Sequence, residues 1–177
     1  MRVRKLILIL SAGFIGCFET ACGDSSPQAL AAYSASLKAE FPDVATITTQ
    51  DISTRKDSPL LLDAREENEF AVSHLSGAVL AEKDCAAQLT RLGMTKDRPI
   101  VVYCSVGYRS AVLARSLQKE GFTNVRNLAG SIFAWANEDR PLFNADGTTT
   151  GVHPFDLLWG RYLNKSKWQW KPDPVGS

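Results

Sequence analysis

Ile100-Val101-Val102-Tyr103-Cys104-Ser105-Val106-Gly107-Tyr108-Arg109-Ser110 is the stretch whose reading decides the fold. Its first five residues are apolar without alternation, the pattern of a strand buried on both faces of a parallel sheet. A short loop, Ser105 to Arg109, follows. From Ser110 the pattern becomes helical, with Ala111, Leu113, Ala114 and Leu117 on one face and Gly121 as the stop. Strand, loop and helix in that order place Cys104 at the carboxyl end of a parallel strand and at the start of a helix. Open α/β sheets bind ligands along that edge.

Working outward, Pro59 to Ala64, Ala78 to Leu80 and Asn124 to Leu128 read as further short strands. Helical stretches, Glu66 to Ser73 and Ala86 to Leu92, lie between them. Short apolar strands alternating with helices predict an α/β fold with a parallel sheet flanked by helices on both faces. Upstream, Leu30, Tyr33, Leu37 and Phe41 recur at helical spacing, so Ala29 to Phe41 is expected to form a helix laid on the main domain. After Pro141 the alternation stops. Residues 144–151 (NADGTTTG) read as a turn-rich linker, and residues 152–177 hold three of the four tryptophans, Trp159, Trp168 and Trp170. Aromatics are costly to leave in water, so this tail is expected to wrap onto the domain, with partner docking as the second reading.

The chain has 177 residues, a size for one domain, and a formal net charge of +1, which gives no general electrostatic case for binding nucleic acid or an acidic membrane. Arg2, Arg4 and Lys5 precede an apolar run from Leu6 to Gly16, the order of an export signal and too short to span a bilayer. Phe14-Ile15-Gly16-Cys17 resembles a bacterial lipobox, in which the cysteine becomes a lipidated N-terminus; a second reading cuts after Gly23, and Cys22 is the weaker lipidation candidate. The expected organisation is a leader over 1–23, a linker and short helix over 24–45, the main domain over 46–143 and the tail over 144–177. The expected location is outside the cytoplasm, periplasmic or as a membrane-anchored lipoprotein, touching the membrane only through that lipid. Of the four cysteines, Cys17 and Cys22 lie near the leader, leaving Cys85 and Cys104 in the body. With two such cysteines, or three if Cys22 survives, the body is not a disulfide scaffold, and the lack of a C-x-x-C pair argues against a zinc site. No metal or cofactor is expected.

Cys104 is the candidate nucleophile. Free N–H groups and the dipole at a helix start, together with Arg109, favour the anionic form of its sulfur. Gly107 frees the loop backbone, and a loop of inward amides is an anion nest. A plainer role, that of a small buried apolar residue at a strand end, does not account for the glycine, the arginine and the helix start together.

Val102 to Ser110 resembles the active-site loop of rhodanese domains. Leu61-Leu62-Asp63-Ala64-Arg65 followed by Glu69-Phe70 resembles the family's D-x-R strand end and its E-F. Ser73-His74-Leu75-Ser76-Gly77-Ala78 resembles its G-H-I-x-G-A element. Gly121-Phe122, Leu128-Ala129-Gly130-Ser131 and Trp135 resemble its closing G-F, L-x-G-G and W. These motifs run in family order across residues 46–142. Ser73 and Ser131 stand where the family has glycine, with an expected effect on backbone freedom only. Ser105 stands where many members carry Arg or Lys, which leaves Arg109 as the only cation within the loop.

The resemblance implies a single-domain sulfurtransferase. The Cys104 thiolate takes sulfur from a small anionic donor such as thiosulfate and passes it from a persulfide to cyanide or a thiol. Cys104 and Arg109 are then the catalytic pair. Ser105, Val106, Gly107, Tyr108 and Ser110 would bind substrate, with Arg65 as a second anion contact or, equally, as a salt-bridge partner of Glu66 or Glu69. Asp63 and His74 read as structural, and His153 has no assigned role. A phosphatase or arsenate reductase of related fold uses a loop one residue longer than the four that separate Cys104 from Arg109. A non-catalytic binding module and a redox thiol protein pairing Cys85 with Cys104 complete the set of functions compatible with the motifs.

Overall fold

In the computed structural model, which describes residues 27–172, the apolar run at Ile100 forms the middle strand of a five-stranded parallel sheet. The strands are β1 (Thr46–Ile47), β2 (Leu60–Asp63), β3 (Val79–Leu80), β4 (Ile100–Tyr103) and β5 (Val125–Leu128), in the spatial order β1-β5-β4-β2-β3. The register sets Leu62 beside Val102 and Val102 beside Asn127. Every residue of β4 is buried. Its side chains divide by strand geometry: Val101 and Tyr103 enter one core cluster, Ile100 and Val102 the other. That division is why the run carries no polar alternation. The leader, with Cys17 and Cys22, lies outside the described residues.

Helices cover both faces. The cluster on the Ile100 face takes Leu89 from α4 (Cys85–Arg91) and Ala111, Ala114 and Leu117 from α5 (Tyr108–Lys119). The cluster on the Tyr103 face takes Ile132 and Phe133 from α6 (Ser131–Asn137), together with Val152, Tyr162 and Leu163. The N-terminal helix α1 (Pro27–Glu40) buries Leu30 in one cluster and Leu37 in the other, and Tyr33 packs against both. This helix therefore straddles the two cores at the sheet edge.

Several elements were not legible as patterns. Strand β1 is two residues long. The six-residue helix α2 (Thr49–Thr54) is set by a capping box between Thr48 and Asp51. By contrast, the helix expected over Glu66 to Ser73 is present as α3 (Glu67–Val72). Helix α6 begins at Ser131, directly after Gly130, and both residues have positive φ (+52° and +66°). The turn-rich linker expected over residues 144–151 is instead part of an antiparallel hairpin, β6 (Leu142–Asn144) with β7 (Gly147–Thr149). Its tight turn uses Gly147 at φ +124° and the Asn144 Oδ1, which accepts the Asp146 N–H at 2.9 Å. Helix α5 starts two residues before the expected Ser110, so Tyr108 and Arg109 belong to its first turn.

The C-terminal segment is tied to α6. Asn137 donates from Nδ2 to the Tyr162 carbonyl and accepts the Asn164 N–H, each at 2.8 Å. The Val152 and Gln169 amides close a further bridge to Lys167 and Val152 carbonyls. Helix α7 (Leu157–Gly160) lies between these ties. Its Gly160 has no room for a side chain, because a Cβ would stand 2.7 Å from the Trp168 ring.

Cys85 and Cys104 are both free thiols, so the Cys85–Cys104 disulfide is not formed here. Cys85 is packed in the α4–α5 cluster, and burial, with Glu82 and Asp84 nearby, pushes its thiol up to about 11. Two outcomes follow. Leu163→Ala should destabilise the fold by about 2–5 kcal/mol, the range for emptying a buried leucine site; urea unfolding that left the midpoint unmoved would mean that this segment does not share the core. Near neutral pH, iodoacetamide should label Cys104 and spare Cys85 until the pH approaches about 11 or the chain unfolds, as read by peptide mapping.

Candidate active site

Cys104 follows β4, and residues 105–107 turn the chain into α5. The carbonyls of this turn are claimed from outside. Ile132 and Phe133, in the first turn of α6, donate to the carbonyls of Cys104 and Ser105, each at 3.1 Å. The Gly107 carbonyl accepts from Asn127 Nδ2 at 3.0 Å and from Ala111 N at 3.1 Å. In a trans peptide the N–H points opposite to the C=O, so the Ser105 and Val106 amides turn away from α6. Gly107 sits at φ +117°, where side chains strain the backbone, and an added Cβ would crowd Leu37 at 3.1 Å. Its N–H reaches the Cys104 Sγ at 3.1 Å. The Ser110 hydroxyl stands 3.5 Å from Sγ and 3.1 Å from the Gly107 carbonyl, and its single proton serves one of them at a time.

Ser131 does more than alter backbone freedom, contrary to expectation. Its fully buried hydroxyl accepts the Cys104 N–H and donates to the Leu128 carbonyl, both at 3.1 Å. It thereby fixes the end of β4 against the end of β5.

Arg109 is not a free cation. Its two terminal nitrogens grip both oxygens of Glu69 at 2.7 and 2.8 Å, the strong two-point geometry for a guanidinium and a carboxylate. The Ser105 hydroxyl closes the triangle, donating to Glu69 at 3.1 Å and accepting from Arg109 at 2.9 Å. Glu69 is almost fully buried. Burial pushes its carboxyl up, but the hydrogen bonds and charge of Arg109 outweigh that and hold it below the usual carboxylate range. Burial works against the Arg109 charge in turn, and Glu69 and the Cys104 sulfur more than restore it. Arg109→Ala would leave that buried carboxylate without its two-point partner.

Arg65 is likewise corrected. It is buried, grips Asp63 at 2.6 and 2.9 Å, and donates to the Ser73 carbonyl at 2.6 Å. It does not line the pocket at Cys104, and its ion-pair partner is Asp63 rather than Glu66 or Glu69. His74 is structural: its backbone pairs with Phe143 and its ring stacks on Phe70 at 4.2 Å.

The pocket over Cys104 has a volume of about 260 Å³. Ser105, Val106, Tyr108 and Arg109 form its floor. Its walls are Tyr33 of α1 and Phe155 and Trp159 of the C-terminal segment, none of which the sequence pointed to as site residues. The enrichment of tryptophan after residue 152 was the one signal, and it gave no position. Glu69 stood in a quoted motif, yet its partner lies forty residues on. Among the described residues, no group of three or more His, Cys, Asp or Glu side chains could hold a metal ion.

Residues 48–138 match the rhodanese-like domain family. A sulfurtransferase of Allochromatium vinosum is 31% identical over 107 residues, which cover 57% of this chain and 96% of that one. The probable adenylyltransferase/sulfurtransferase MoeZ of Mycobacterium tuberculosis is 34% identical over 100 residues, covering 54% of this chain and only 26% of that longer protein. Among solved structures, the fold is similar to a thiosulfate sulfurtransferase from Pseudomonas aeruginosa, with TM-score 0.55, 19% identity, and coverage of 70% of this chain and 24% of that one. The polysulfide-sulfur transferase of Wolinella succinogenes gives TM-score 0.51, 21% identity, and coverage of 64% and 88%. With its motifs in order, its parallel sheet and its cysteine loop, the chain belongs to the rhodanese-like domain family.

Proposed function

We propose that this protein is a sulfurtransferase that carries sulfane sulfur as a persulfide on Cys104. The observation that supports it most is the sulfur itself. It sits at the strand end, within reach of the Gly107 N–H and the Ser110 hydroxyl, at the floor of an open pocket. The Cys104 thiolate attacks the outer sulfur of a donor such as thiosulfate. A new S–S bond forms to Sγ, the old S–S bond breaks, and its electron pair leaves on sulfite. The terminal sulfur of the persulfide is anionic and lies where the loop amides and the start of α5 favour negative charge. A thiol or cyanide then takes that sulfur and regenerates the thiolate, a two-step covalent cycle.

In this reading Gly107 and Ser110 stabilise the reacting sulfur, and Ser131 and Asn127 hold the loop in shape. Arg109 acts as a positioning residue through Glu69 and Ser105. The leader-like stretch at the N-terminus supports a setting outside the cytoplasm. Intact-mass spectrometry tests the reading. After thiosulfate or inorganic polysulfide, the protein should gain one sulfur on Cys104 and lose it on adding cyanide. Cys104→Ser should gain none there while keeping its unfolding midpoint. A reduced, titratable Cys104 that takes sulfur from neither donor would overturn the enzyme reading in favour of a binding module.

A further inference from the structure

The pocket walls lie outside the matched span of residues 48–138. Tyr33 comes from α1, ahead of it, and Phe155 and Trp159 come from the segment behind it. The two flanks are locked together by rings: Tyr33 meets Trp159 edge-on at 5.4 Å and stacks on Tyr162 at 5.6 Å. Phe155 is held just as specifically. It occupies a left-handed backbone at φ +68°, a costly conformation for a bulky residue. Its N–H donates to His153 Nδ1 at 3.1 Å, and the His153 ring packs edge-on against Trp170 at 5.2 Å. Burial lowers the pKa of His153, which keeps the ring neutral and Nδ1 free to accept. The result is a phenyl ring laid over the Arg109 guanidinium, 4.8 Å from its carbon. A strained residue pinned by a buried histidine, over the cysteine pocket, marks a built wall.

The charges point the same way. Among the described residues, Arg109 is the only cation lining the pocket, and Glu69 already neutralises it. Burial and the nearby Cys104 push the Tyr33 phenol up to about 12, so it stays neutral. A doubly charged inorganic donor approaching a thiolate finds no unpaired positive side chain here, and desolvating it is expensive. An apolar group finds rings. The volume of about 260 Å³ exceeds the roughly 150 Å³ of an apolar cavity that holds benzene.

We propose that Tyr33, Phe155 and Trp159 select an organic sulfane-sulfur donor, one whose leaving group carries an aromatic or bulky aliphatic substituent, over inorganic thiosulfate. This rests on the persulfide chemistry of Cys104 and names its substrate class. For a thiosulfonate donor, R–SO₂–S⁻, the Cys104 thiolate forms a bond to the terminal sulfur. The S–SO₂R bond breaks and its electron pair leaves on the sulfinate, R–SO₂⁻. Charge is conserved, and no external oxidant or reductant is needed.

The test compares benzenethiosulfonate with methanethiosulfonate, which share reacting group and charge and differ in the ring. Loading of Cys104 on the full chain is followed by mass spectrometry, each rate being divided by that of the same donor with 2-mercaptoethanol. The normalised aryl-to-methyl ratio should exceed about tenfold, in line with burial of a ring. It should fall several-fold in Phe155→Ala and in Tyr33→Leu. The wild-type ratio decides even if a variant fails to fold. A ratio near one, or normalised loading fastest with thiosulfate, would overturn the selectivity while leaving the persulfide intact. No loading from any donor would instead overturn the persulfide reading on which it rests.

Discussion

The guanidinium of Arg109 is clasped by both oxygens of Glu69, and the arrangement of the site depends on that clasp. Glu69 sits on α3, behind the D-x-R end of β2, and Arg109 on the first turn of α5, behind β4. The pair thus joins the two helices that follow neighbouring strands. It also anchors the Ser105 hydroxyl, the first residue of the cysteine loop. Burying a carboxylate so completely is unfavourable alone and acceptable with a two-point partner and a third hydrogen bond. The same clasp removes a free cation from the pocket. A loop with Arg or Lys at the Ser105 position would carry a further positive charge there; this one carries a small donor that bonds to the carboxylate.

The loop is shaped by a second set of contacts that are independent of charge. Helix α6 draws the carbonyls of Cys104 and Ser105 to its first turn, Asn127 draws that of Gly107, and Ser131 receives the Cys104 amide. With the carbonyls held outward, the peptide planes present N–H groups on the other side. Chain geometry rather than a titratable partner sets the polarity around the sulfur. The two histidines are spent elsewhere: His74 on a stacking and backbone role, His153 on holding Phe155.

Local patterns carried much of this. Strand β4, the glycine of the loop and the amphipathic helix α5 are each encoded within a few residues, and the motif order fixed the topology around them. The positions that local patterns misplaced depend on contacts between distant segments. Arg65 was carried towards the site by the family resemblance, yet Asp63, two residues away, captures it inside the core. Ser131 was read through its backbone, and its hydroxyl turned out to bond to a strand end 27 residues earlier. Tyr33 gave only a helical stripe. Periodicity shows which face is buried, not that one residue of that face meets a tryptophan from the far end of the chain.

The central claim is that Glu69 cancels the charge of Arg109, so that its guanidinium gives a negatively charged reagent at the cysteine no advantage. Alkylation of Cys104 by iodoacetate and iodoacetamide at low salt measures this, with the ratio of rates referred to that of 2-mercaptoethanol. Charge cancellation predicts a normalised ratio near one in the wild-type protein, and a gain for iodoacetate in Glu69→Gln, where Arg109 is released. A wild-type ratio favouring iodoacetate by about tenfold or more, suppressed by added salt as an unpaired charge demands, would contradict it.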